Sequence, residues 1–210
     1  MKTEFNEIIC DWRRVKNHCR TTDNKDFTEN EPSESFKKML LISEHSPIRL
    51  IEYDWSWRNM PYWVHAELAR HKFEKFISSQ RDDRIQNEIP RGKKPQDAPV
   101  RFDGYANQQN LIDAWRKRLC FKATPEARAY CVSFKLELWE AGYKAEADVL
   151  VPHCVYRCGC PEPKPCGFFD SFVEHAELLD VNMFDIQNRY DLYNDLLRES
   201  QKGVIVDGKE

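Results

Sequence analysis

Glu67, Arg70, His71 and Glu74 lie three, one and three residues apart, the spacing that lines side chains along one face of a helix. Ala66, Ala69, Phe73 and Phe76 form a second, apolar stripe on the same segment. At about 100° per residue the two stripes stand about a quarter turn apart, so the charged row flanks the buried row. Carboxylates, a guanidinium and an imidazole at such an edge are partly desolvated, which shifts their ionisation and strengthens directed hydrogen bonds. The same spacing also allows a plain intrahelical ladder, Glu67 to His71 and Arg70 to Glu74. Periodicity does not choose between these readings.

A second group is HCVYRCGCPEPKPC, which places His153, Cys154, Cys158, Cys160 and Cys166 within one short segment. Thiolates gathered by turns at Gly159, Pro161 and Pro163 can meet one tetrahedral Zn²⁺, with His153 as a replacement ligand, or an iron-sulfur cluster. The metal reading takes Cys154, Cys158, Cys160 and Cys166 as ligands. The alternative is a set of buried or idle thiols in a reducing compartment. Cys10, Cys19, Cys120 and Cys131 are dispersed and read as core. His18, His65 and His175 lack partners at ligand spacing.

The elements that must position these groups follow from caps and periods. Ser33 caps a helix through Ile42. Leu50, Glu52 and Asp54 alternate with Ile51, Tyr53, Trp55 and Trp57, the pattern of a half-buried strand. A helix is predicted from about Met60 to Ser79, with Pro61 tolerated in its first turn. Others are predicted at Asn107 to Phe121, at Pro125 to Ala141 between Thr124 as cap and Gly142 as stop, and at Val181 to Glu199. The prolines and glycines of 84–106 predict a flexible loop, and 153–166 a cysteine-rich segment. The whole reads as one mixed α/β (α+β) domain over 1–210, a central, largely antiparallel sheet flanked by helices. Trp55, Trp57 and Trp63 are read as core or subunit-contact residues, or as stacking partners for a bound ring.

With 32 basic and 35 acidic side chains in 210 residues, the net charge is -3, without the basic footprint of a duplex-binding protein. No run approaches the length of a membrane span, and MKTEFNEIICDW is no secretory leader. The expectation is a soluble, cytoplasmic protein.

The letters carry more than the spacing. ELARHKFEKFISSQR, Glu67 to Arg81, resembles the signature of the flavin-dependent thymidylate synthases, an Arg-His-Arg triplet followed after a short spacer by Ser-x-Arg. Here the triplet is Arg70, His71 and Lys72, and the Ser-x-Arg is Ser79, Gln80 and Arg81. HSPIRLIEYDW resembles the family's His-x-x-Pro-x-x-His segment, with Leu50 at the second His. Lys144 to Pro152 resembles the segment that ends in Ala-Arg and then Leu-Pro, with Asp148 where that Arg would stand. The resemblance runs in order from Asp11 to Pro152.

What the resemblance implies is an FAD-dependent methyltransferase that converts dUMP to dTMP, with methylenetetrahydrofolate as one-carbon donor and NADPH as reductant, built as a homotetramer. It implies Arg70, His71 and Lys72 as flavin ligands, Ser79 and Arg81 as catalytic and nucleotide-binding residues, and Glu67 beside the nucleotide. On this alignment Asp148 repels the substrate phosphate, and Arg157 or Arg189 takes the missing arginine's place. Two other readings stay open: a catalytically altered, metal-stabilised nucleotide-binding or regulatory protein on the same fold, and a flavoenzyme acting on uracil in another carrier.

Overall fold

The structure is a computed structural model that describes residues 2–85 and 89–201. Positions 86–88 of the expected loop, and 1 and 202–210 of the expected domain, lie outside the described residues.

Four strands, β1 (Thr3–Ile9), β2 (Glu52–Pro61), β3 (Glu74–Ile77) and β4 (Pro99–Asn107), form one antiparallel sheet in the order β1-β2-β4-β3. Around it stand α1 (Trp12–Thr22), α2 (Glu34–Ile42), α3 (Tyr62–Leu68), α4 (Gln108–Arg118), α5 (Pro125–Glu140), α6 (Lys144–Asp148), α7 (His153–Arg157), α8 (Phe168–Leu178) and α9 (Ile186–Gln201). The mixed α/β class and the antiparallel sheet flanked by helices are as expected.

Alternation along β2 turns Tyr53, Trp55 and Trp57 inward, and all three are fully buried. From β4 they meet Phe102, Gly104 and Ala106. Phe134 of α5 closes the layer, its ring 5.0 Å from those of both Phe5 and Trp55 and 4.9 Å from that of Trp115 on α4. Such edge-on packing joins sheet and helices into one core. Trp55 and Trp57 are thus core residues. The opposite face is largely polar, with Asn6 bonded to Asp54 at 2.9 Å and Ser56 to Asp103 at 2.7 Å.

Several expected boundaries hold for the reasons given. Ser33 caps α2 through its side chain, as Asn107 caps α4, and Gly142 follows α5 at φ +96. The last helix starts later than predicted, because Asp185 accepts from the amides of Gln187 and Asn188 and so sets its first turn. The predicted loop also shortens, since its C-terminal part is β4.

The predicted helix from Met60 to Ser79 is corrected. It ends at Leu68, a turn occupies 69–73, and Glu74–Ile77 becomes edge strand β3, paired to β4. Ladder bonds to β4 and a bridge from Lys75 Nζ to the carbonyls of His71 (2.7 Å) and Phe73 (2.5 Å) win over helical periodicity. The expected stripes therefore do not form. Phe73 is buried, whereas Phe76 is 61% exposed on the polar face.

Candidate functional site

Arg70, His71 and Lys72 sit on the turn between α3 and β3, with Arg70 and Lys72 exposed and His71 half-buried. The turn is tightly held. The amide of His71 donates to the Leu68 carbonyl at 3.1 Å, and that of Phe73 to the His71 carbonyl at 3.0 Å. The His71 ring lies nearly parallel to that of Phe73, at 10° and 6.5 Å.

The expected ladder of Glu67 to His71 and Arg70 to Glu74 is absent among the described residues. Arg118, the last residue of α4, takes both of the first pair instead. Its Nε donates to His71 Nε2 at 2.8 Å and its Nη1 to Glu67 Oε2 at 2.8 Å. Both charged partners are mostly shielded, 17% exposed for Arg118 and 23% for Glu67. Burial, then the charges of Arg118, Lys75 and Lys117, pushes the His71 imidazole down to about 4. Burial likewise lowers Lys75.

Arg118 is the functional candidate that sequence reasoning missed. It ends the run Arg116, Lys117, Arg118, which reads as ordinary complementation of a helix C-terminus. Its partners are 47 and 51 residues away, beyond any local spacing rule.

Ser79 and Arg81 follow β3. The amide of Arg81 donates to Ser79 Oγ at 3.1 Å, and its guanidinium holds Asp83 with a fork of 2.9 and 2.5 Å. The turn of Arg70 to Lys72 and the loop of Ser79 and Arg81 therefore stand at opposite ends of β3, a strand of four residues that spans about 13 Å at about 3.3 Å per residue.

Asp148, at the end of α6, does not stand as an isolated phosphate-repelling charge. Burial holds its carboxyl above the usual carboxylate range, with a partial offset from the charges of Lys135, Arg198 and Lys38. Arg189 is buried and spends its guanidinium on the carbonyls of Val155 (2.8 Å), Met183 (2.5 Å) and Tyr156 (3.1 Å). It is a structural clasp between α7 and α9, which leaves exposed Arg157 of the two expected substitutes.

The zinc expectation is not supported. Among the described residues no group of three or more His, Cys, Asp or Glu could hold a metal ion. Cys158 caps α7 in the left-handed conformation and turns its thiol to the Met183 carbonyl at 3.4 Å. Cys154, Cys160 and Cys166 instead line a cleft of about 280 Å³ with Cys120, His153 and Arg118. Burial pushes the Cys154 thiol up to about 12. Cys120 is a cleft residue and not core. Cys10 is half-buried and donates to Glu146 at 3.2 Å, beside the Trp12 Nε1 bond of 2.5 Å to the same carboxylate.

The fold and the charged turn define a mixed α/β protein with an antiparallel sheet and a cationic turn entering its edge strand. Solved structures similar to this chain in fold include two of a flavin-dependent thymidylate synthase. One is a crystal structure of the flavin-dependent thymidylate synthase ThyX from Helicobacter pylori complexed with FAD and dUMP. It has a TM-score of 0.59 and 13% identity, over 72% of this chain and 100% of that one. The other is ThyX from the same organism with FAD and dUMP, at a TM-score of 0.59 and 14% identity, over 71% and 99%. At that identity the likeness is one of fold. No family model and no curated protein matches the chain. No described helix is long and apolar enough to cross a membrane.

Proposed function

We propose that this chain is a cytoplasmic, FAD-dependent thymidylate synthase-like enzyme that methylates dUMP reductively to dTMP, taking the carbon from methylenetetrahydrofolate and reducing equivalents from NADPH. The observation that carries the reading is the fold match over the whole of a chain solved with FAD and dUMP. The residues of the α3-β3 turn fit the cofactor by their chemistry. Exposed Arg70 and Lys72 suit a diphosphate and an anionic reduced ring, and His71 between them adds a directed donor. Bound FAD would supply the hydride. Arg70, His71 and Lys72 hold and orient it, Ser79 and Arg81 bind the uracil nucleotide, and Glu67, on the flavin side of β3, meets that nucleotide when a second copy brings it there.

The strand between the two groups supports an assembly in which the flavin residues of one copy complete a site with the nucleotide residues of another, as in a homotetramer. A second reading, in which the acceptor is a uracil in another carrier, needs no capture of a terminal nucleotide phosphate by Arg81, whose guanidinium is forked to Asp83. Oxidation of enzyme-bound reduced FAD, driven by dUMP or by a uracil-containing oligonucleotide, separates the two. Stimulation by dUMP supports the first, and by the oligonucleotide alone the second.

A further inference from the structure

We propose that Arg118 is a positioning residue that fixes His71 as a neutral imidazole with its proton on Nδ1, so that the turn presents a constant N–H donor and not a pH-switched cation. This rests on the proposed flavin role of the turn for its functional meaning, and on geometry alone for the tautomer. A guanidinium has donors only, so the His71 Nε2 that faces Arg118 Nε at 2.8 Å must be an unprotonated acceptor. The ring's proton is then left to Nδ1. Glu67 holds the guanidinium from its other side at 2.8 Å, which keeps the Nε fork aimed at the ring.

The groups around His71 agree on the neutral form. Arg118 and Lys117 face it from α4 and Lys75 from β3, all cationic. Glu67 of α3 spends its carboxylate on Arg118 and not on the ring. From α5, Cys131 feels the charges of Arg118 and Glu67 behind the cluster, its thiol raised by burial. A proton added to Nε2 would meet a guanidinium at hydrogen-bond distance.

Histidine-selective NMR of the full chain tests this from about pH 5.5 to about pH 8, across the range where a free imidazole titrates. The expected result is a His71 signal of the Nδ1–H form that does not titrate in the wild type. Arg118→Gln should raise its titration into this range, toward the usual value of about 6.5 but short of it, because the burial of the ring remains. The double variant Arg118→Gln with Glu67→Gln removes both charges and gives the same readout should the single variant leave Glu67 too exposed to fold. FAD affinity, measured in parallel, should be flat with pH in the wild type and fall by about tenfold, with a new pH dependence, in Arg118→Gln. Titration of His71 in the wild type, an Nε2–H form, or a variant indistinguishable from the wild type overturns the proposal. A correct tautomer in a protein that binds no FAD overturns the flavin reading and leaves the positioning role standing.

Discussion

The six-membered ring of Trp55 fills the space that a Cβ on Gly104 would need, with its nearest atom 2.3 Å from that position. The two residues pair across β2 and β4, and Lys75 of β3 pairs with Gly104 from the other side. Gly104→Ala must therefore push a fully buried indole into Phe73, Trp115 and Phe134. We expect a loss of about 3 kcal/mol, the upper end of overpacking costs, read by urea denaturation. A loss within about 0.5 kcal/mol of the wild type would mean that the tryptophan layer is looser than described.

Lys135 is fully buried on α5, its Nζ bonded to the carbonyls of Ala147 at 2.6 Å and Leu150 at 2.9 Å. Burial pushes its amine down to about 7, against a partial offset from Asp148. The unfolded chain keeps that proton to about pH 10.4, so above about pH 7 the unfolded state binds more protons and stability rises with pH. Below about pH 7 both states are protonated and the full penalty applies. Relative to Lys135→Met, the wild type should gain stability between about pH 7 and about pH 9, with a slope approaching 1.4 kcal/mol per pH unit. Parallel stability curves would contradict it.

Asp148→Arg tests the alignment that sets this residue against a substrate phosphate. The carboxyl lies in the fields of Lys135 and Arg198, so the substitution adds a third cation to that interior cluster. The expected effect is a loss of about 3 kcal/mol in thermal or urea unfolding, with no tighter dUMP binding. Improved nucleotide affinity in a variant of undiminished stability would restore the phosphate role.

Thiol labelling of the native protein reads the cysteine cluster. Cys166 is exposed, whereas Cys131 and Cys154 are buried with raised thiols. Iodoacetamide followed by peptide mass spectrometry should modify Cys166 first and leave Cys131 and Cys154 unmodified until denaturant is added. Modification of Cys154 as fast as Cys166 would show that the cleft opens in solution.

Strand β2, the helices capped by Ser33 and Asn107, and the helix opened by Pro125 and stopped at Gly142 are legible because their signals are local: a period of two, a cap, a first-turn proline or a stop. Thr124 stands at the N-cap position of that last helix without the expected side-chain bond. The segment from Arg70 to Ile77 is not legible in this way. Its residues satisfy a helical period, yet β4 offers ladder bonds and Lys75 ties the turn by its carbonyls, neither of which leaves a mark on spacing. At the site, Arg70, His71 and Lys72 were named from a resemblance, while Arg118 is joined to them only by the fold. The cysteines show the same limit from the other side. Closeness in sequence grouped Cys158 with Cys154, Cys160 and Cys166, whereas the fold turns it to Met183 and brings in Cys120.

The most direct test of the proposed flavin enzyme is FAD binding by purified, refolding-competent protein, followed by absorbance and by quenching of flavin fluorescence. The wild type is expected to bind FAD, and Arg70→Ala to lose at least about tenfold in affinity, since one charge-assisted contact is worth about 1.5 to 3 kcal/mol. Arg81→Ala, across β3 from the turn, should keep its flavin and lose the dUMP-driven oxidation of reduced FAD. A folded wild type that binds no FAD would contradict the account.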